Sequence, residues 1–288
     1  MDTFIQDLMT YPFLQRMLIA SLLISLTCSL LSVFVVLKKM AFIGQGISHA
    51  AFGGIAFGLW LFPALTTPNL AVYAITVAFC ILVAFCIGFA SRSSVVSEDS
   101  AIGIFFVTSM ALGVIFLSLR HSYTSDVFNY LFGTILGVNS QDLWMILGLS
   151  VLVIFCILFN FKELYAFCFD EVYADTLGIP TNILHYMLLF LLALTIVLSV
   201  KVIGVILVTA FLVIPGACAT QLTYRFTPMV LWAILIGVLT SLTGIFLSSI
   251  YITEQVELPP GPVVVTLQFL LFLVLLVVHR LRDRYRHA

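Results

Sequence analysis

Lys38-Lys39-Met40-Ala41-Phe42-Ile43-Gly44-Gln45-Gly46-Ile47-Ser48-His49-Ala50-Ala51-Phe52-Gly53-Gly54-Ile55-Ala56-Phe57 is the stretch on which the fold turns. Two lysines open it, and a glycine- and alanine-rich apolar run follows. No Asp, Glu, Lys or Arg interrupts the chain from Met40 to Ser91. A single membrane-spanning helix takes about 20 residues, so this run holds more than one. Up to Phe57 it carries one ionisable group, His49. A histidine in a lipid-embedded helix is costly and marks a candidate functional site. Gln45 lies one turn earlier on the same helical face, and Ser48 is adjacent.

The rest of the chain agrees with this reading. Of 288 residues, 62% are hydrophobic and 9% charged, and the mean hydropathy is +1.22. Soluble domains are about a quarter charged, so this is a membrane protein. Long uncharged runs argue for helices rather than barrel strands. A net charge of −1 suggests no nucleic-acid partner. The six cysteines (Cys28, Cys80, Cys86, Cys156, Cys168 and Cys218) show no CxxC spacing and read as small apolar packing residues. Asp2 and Asp7, without an early basic cluster, do not resemble a cleaved leader.

Hydropathy predicts an all-α polytopic fold in one domain over residues 1–288. Nine spans are expected near 15–37, 42–62, 70–90, 100–119, 141–161, 183–200, 202–222, 227–251 and 262–280. Only Lys201 separates the sixth from the seventh, and fusing them would leave eight. With Arg280, Arg282, Arg284 and Arg286 placed in the cytoplasm, nine spans also put Lys38, Lys39, Arg92, Lys162 and Arg225 there. That orientation leaves Arg16, Arg120, Lys201 and the N-terminus outside.

Two segments are not ordinary connections. Residues 126–138 are apolar but too short to span, so Asp126, Leu131, Phe132 and Gly133 are expected in an outer half-helix. Residues 162–182 form the longest cytoplasmic connection. They carry Glu163, Asp170, Glu171 and Asp175 among aromatic residues, and end in Gly178-Ile179-Pro180. This is either a short amphipathic helix that docks on another protein or a solvated loop.

The chemistry narrows by elimination. There is no GxxxxGK[ST], HExxH or GxSxG motif, so nucleotide binding by a P-loop and hydrolysis by these routes lack apparatus. The 13 acids fall at helix ends or in loops, and an intramembrane carboxylate for proton coupling is missing. His49 is either a metal ligand, with Gln45 as a weak neutral companion, or a hydrogen-bonded histidine in a tight interface. A twofold dimer would bring two copies of the pair together. Gly44, Gly46, Ala50, Gly53, Gly54 and Gly58 permit close helix approach under either reading. Glu98 and Asp99 suit the start of the fourth span by charge–dipole complementarity. Pro215, followed by Gly216, is expected to kink the seventh span and could form a gating bend. His185, His279 and His287 are placed near the cytoplasmic surface and read as non-ligands. His121 is placed outside, most simply as a solvated loop residue.

Taken together, these residues resemble the membrane subunit of the ABC importers for manganese, zinc and iron ions. The resemblance rests on six motifs in order over nearly the whole chain. They are Leu37 to Gly44 followed by Ile47-Ser48-His49-Ala50; Ser97-Glu98-Asp99 with Gly103; Asp126 with Tyr130 to Leu136; Phe169-Asp170-Glu171 with Ala174 and Leu177-Gly178-Ile179-Pro180; Val202-Ile203-Gly204 through Pro215-Gly216-Ala217; and Leu258-Pro259-Pro260-Gly261. It implies a homodimeric permease of the bacterial cytoplasmic (inner) membrane, without a resident cofactor, whose cargo is a divalent metal ion. It implies two cytoplasmic ATP-binding subunits gripping Phe169, Asp170, Glu171, Ala174, Leu177 and Gly178, and an extracytoplasmic metal-binding protein. His49 would contact the ion in passage. One departure stands out: Gln45 occupies a position where the family usually has Asp, and a neutral amide holds a divalent cation less tightly than a carboxylate. Two other readings are a permease for a metal chelate or cobalamin-like ligand, an analogy of fold, and a proton-coupled secondary carrier titrating at His49.

Overall fold

The computed structural model describes residues 12–62, 70–92, 96–119, 139–250 and 259–286. Among them are eleven helices: α1 (Pro12–Leu37), α2 (Ile43–Leu61), α3 (Leu70–Arg92), α4 (Glu98–Leu119), α5 (Ser140–Phe159), α6 (Phe161–Phe169), α7 (Glu171–Thr176), α8 (Thr181–Ile203), α9 (Val205–Leu222), α10 (Phe226–Ile250) and α11 (Pro260–Arg286). Each of the nine expected spans coincides with one helix. Eight are long and apolar enough to cross a membrane. The exception is α2, the helix of His49, which dilutes its apolar residues with Gly, Ser, Gln and His. The sixth and seventh spans stay separate. The break lies at Gly204 rather than Lys201: α8 runs on through Lys201, and Gly204 ends it at φ 81°. The Lys201 ammonium sits 4.1 Å from the Tyr73 ring centroid, a cation–π contact.

Helix ends follow local chemistry. Two of these ends are Schellman closures. At the end of α1, Met40 N–H donates to Val35 O at 2.9 Å and Lys39 N–H to Val36 O at 3.1 Å, with Lys39 at φ 60°. At the end of α7, Ile179 N–H donates to Ala174 O at 3.1 Å and Gly178 N–H to Asp175 O at 3.0 Å, with Gly178 at φ 79°. Glycine takes this conformation freely, whereas lysine does so against its Cβ. Ser97 caps α4 by accepting from Ser100 N–H at 3.3 Å, and Glu98 and Asp99 occupy the first turn, as expected.

The described chain forms two compact units, and it passes between them after Ala41, within α5 and at the start of α9. One unit holds α1, α10, α11 and most of α5 and α9. Within it a Cβ on Gly216 would stand 2.5 Å from Ser32 O of α1, and Phe34 meets Phe226 edge-on at 5.7 Å. Gln268, fully buried on α11, donates to Thr240 Oγ1 of α10 at 3.1 Å. The α1 hydroxyls of Ser25, Thr27 and Ser32 return to carbonyls of their own helix, which satisfies them without water.

The other unit holds α2, α3, α4, α6, α7 and α8. Here α2 lies against α3, α4 and α8, with fourteen of its nineteen residues buried. A Cβ on Gly53 would stand 2.5 Å from Ser109 O of α4, and one on Gly54 would stand 3.0 Å from Thr76 Cα of α3. Those glycines are therefore required by backbone-to-backbone approach, the packing device available where lipid supplies no hydrophobic drive. Phe52, Ile55, Leu59 and Val72 fill the core beside them, with Leu117 against it.

Candidate functional site: the histidine helix and the 161–178 segment

Apart from Leu61 at its last turn, the part of α2 left uncovered is one stripe. Phe42, Gln45 and Trp60 are exposed, and His49 and Phe57 are half-buried. These positions repeat at helical spacing, so they share a face. The His49 ring meets Phe106 of α4 edge-on at 4.8 Å between centroids. Its Nδ1 is buried and has no hydrogen-bond partner among the described residues. A buried polar atom left without a partner is destabilising by about 1–3 kcal/mol. Farther along the stripe Phe57, Trp60 and Phe116 gather in a ring cluster, with centroids 5.1 Å (Phe57–Phe116) and 5.6 Å (Trp60–Phe116) apart.

Ser48 behaves differently from its neighbours. It is fully buried, and its Oγ donates to Gly44 O at 2.7 Å. That hydroxyl proton is committed to the helix, while Gln45 and His49 stay accessible. Among the described residues no three His, Cys, Asp or Glu side chains gather into a metal cage. The polar groups that α2 leaves accessible are an imidazole and an amide one turn apart on one face.

The 162–182 segment folds as two short helices rather than one. Asp170 separates them, and its carboxylate caps α7 by accepting from Tyr173 N–H at 2.9 Å. Of the six residues singled out here, Phe169, Asp170, Leu177 and Gly178 are exposed. Ala174 is fully buried and anchors the inner side of α7. Glu171 is half-buried and forms an ion pair with Arg92 at the end of α3. Tyr165, Phe169, Val172, Tyr173 and Leu177 all remain exposed, with Val172 at 77%. These large apolar side chains form an exposed patch flanked by Asp170 and Asp175.

Pro215 lies inside a continuous α9, and both Pro215 and Gly216 are buried. The close approach of Gly216 to Ser32 gives that glycine a packing role. The half-helix residues Asp126, Leu131, Phe132 and Gly133, together with His121 and His287, lie outside the described residues. His185 lies early in α8, buried and edge-on to Phe167 and Tyr186. His279 Nδ1 lies 3.1 Å from Gln221 O. Sequence reasoning missed Arg92 as an interacting group. Its partner is 79 residues away, a distance that no local spacing rule bridges.

An all-helical fold with eight helices long and apolar enough to cross a membrane defines a polytopic membrane protein, and comparison with known proteins gives the family. Residues 10–279 match the model of the ABC 3 transport family, and the chain belongs to that family. It is the membrane permease subunit of an ABC transporter and not the ATPase itself, which sets aside the proton-coupled carrier. It is 34% identical over 248 residues to the manganese transport system membrane protein MntC of Halalkalibacterium halodurans, covering 86% of this chain and 82% of that one. It is 32% identical over 278 residues to the chelated iron transport system membrane protein YfeD of Yersinia pestis, covering 96% and 89%. A solved structure of PsaBC from Streptococcus pneumoniae in complex with Fab superposes with a TM-score of 0.80 at 29% identity, over 95% of this chain and 94% of that one.

Proposed function

We propose that this chain is the permease through which an ABC importer brings a divalent transition-metal ion across the bacterial cytoplasmic membrane. The observation that carries the reading is the half-buried His49 ring on the open stripe of α2, one turn from the exposed Gln45. In a homodimer two such stripes could face one another, and an ion passing between them would meet two imidazoles and two amides. Gln45 completes the contact as a weak ligand, and Ser48 holds the helix rather than the ion. The names of the relatives, manganese and iron transport proteins, point to the cargo class.

The drive comes from ATP-binding subunits seated on α6 and α7, under the orientation that the basic residues imply. The exposed Phe169, Val172, Tyr173 and Leu177 supply the apolar contact, and the Asp170 cap and Gly178 closure keep α7 formed. A separate metal-binding protein would deliver the ion on the opposite side.

The deciding experiment is uptake of manganese, iron(II) and zinc ions by the reconstituted complex with wild-type chain and with His49→Ala. Uptake is expected to fall at least about tenfold, equivalent to about 1.4 kcal/mol of lost transition-state stabilisation, with the complex still assembled. Wild-type rates in the variant would remove His49 from the pathway. A chelate as cargo is the second reading, favoured by the chelated-iron name of one relative. Competition between free iron and its chelate separates the two.

A further inference from the structure

Arg92 closes the last turn of α3, and Glu171 opens α7. Their ion pair joins the 161–178 segment to a transmembrane helix. Both side chains are partly exposed, at 26% and 38%. Such pairs shift a folding equilibrium by about fivefold at most, so this one does little to hold the fold together.

Its position matters more than its strength. One turn before Arg92, Gly88 lets Leu189 and His185 of α8 close on α3. Phe167 of α6 meets the same His185 edge-on, with centroids 6.5 Å apart. Thr181 Oγ1 of α8 donates to the Asp175 carboxylate of α7 at 3.5 Å. The α6–α7 pair is thus tied to the ends of α3 and α8 at separate points. From α3 the contact continues to α2, through Thr76 against Gly54 and through Cys80 Sγ, which donates to Ile47 O at 3.8 Å. Ile47 lies two residues before His49.

We propose that the Arg92–Glu171 pair is a positioning clamp that makes α7 and α3 move together, so that a displacement of α7 reaches the helix of His49. This rests on the reading of α6–α7 as the ATPase contact. Glu171 therefore faces inward to Arg92, while Val172 and Tyr173 meet the ATPase. A contiguous packed path with an electrostatic joint can carry such coupling, and only a measured coupling establishes it.

The test uses the complex of permease, ATPase and binding protein in vesicles, supplied with manganese ions and, separately, iron(II) ions. Ions taken up per ATP hydrolysed are measured together with the thermal midpoint. Arg92→Gln and Glu171→Gln are each expected to lower the ratio by about fivefold, with the midpoint unchanged and the ATPase still bound. The exchanged pair, Arg92→Glu with Glu171→Arg, is expected to recover to within about twofold of wild type. An unchanged ratio in the single variants, an exchanged pair as poor as they are, or a ratio that falls only with the midpoint overturns the clamp. Tyr173→Asp separates this from the underlying reading. If it releases the ATPase while the charge variants keep their ratio, the clamp alone fails. If it leaves the ATPase bound at full strength, the docking reading fails and the clamp with it.

Discussion

Helices α2 and α11 occupy opposite ends of what a membrane helix can be. In α11 only 17% of the membrane-crossing window is buried, and Phe269, Leu270, Leu273, Val274, Val277 and Val278 lie exposed. In α2 fourteen of nineteen residues are buried, yet α2 is not among the eight helices apolar enough to cross. The difference teaches that burial permits a low hydropathy without requiring it, since α1 and α8 are also mostly buried and remain strongly apolar. A helix enclosed by its neighbours can exchange Leu and Val for Gly and Ser, because protein rather than hydrocarbon surrounds those residues.

The comparison breaks most easily at the glycines. Gly53→Val would drive a side chain into the Ser109 carbonyl, and a backbone atom cannot step aside. Destabilisation of about 3 kcal/mol or more is expected, read as loss of the monodisperse peak in detergent. Gly103→Ala on α4, where a Cβ meets nothing within 4 Å, should leave that peak intact. Next comes function. Whereas His49→Ala is expected to abolish most uptake, Val277→Ala on the exposed side of α11 is expected to keep uptake within about twofold, since exposed truncations change stability by only about 0.5 kcal/mol. Equal losses in the two would erase the distinction between the helices. A smaller effect is expected of Gln45→Asp, which restores a carboxylate beside His49. Ion retention should rise several-fold and release should slow, measured by isotope efflux; unchanged retention would show that Gln45 lies off the path. The smallest effect concerns the turn into α2. Lys39→Gly relieves a left-handed lysine and is expected to raise stability by about 0.5–1 kcal/mol, seen as a higher thermal midpoint with uptake unchanged.

Much of the fold was legible because helices in lipid satisfy their own backbone groups within one segment, and local composition marks such segments. The Gly178-Ile179-Pro180 stop was legible for the same reason: a left-handed C′ glycine is a local event. The break between α8 and α9 was placed at Lys201 because a charge is conspicuous in an apolar run. The chain instead uses Gly204, since lysine continues a helix and finds the Tyr73 ring. The 162–182 segment was legible as either a short helix or a loop, and its two helices depend on the side-chain cap that Asp170 makes to Tyr173 N–H.

The sequence by itself determined that the chain lives in a bilayer, where most of its helices run, and that His49 is the group to explain. Each follows from composition and from periodicity along one segment. Only the tertiary structure decided that Ser48 is spent on its own helix while Gln45 and His49 share an open face. Only it brought Arg92 to Glu171 and buried His185 between three helices. Those outcomes depend on which helices meet and how closely, and the spacing of residues along a chain carries no record of distances across 79 positions.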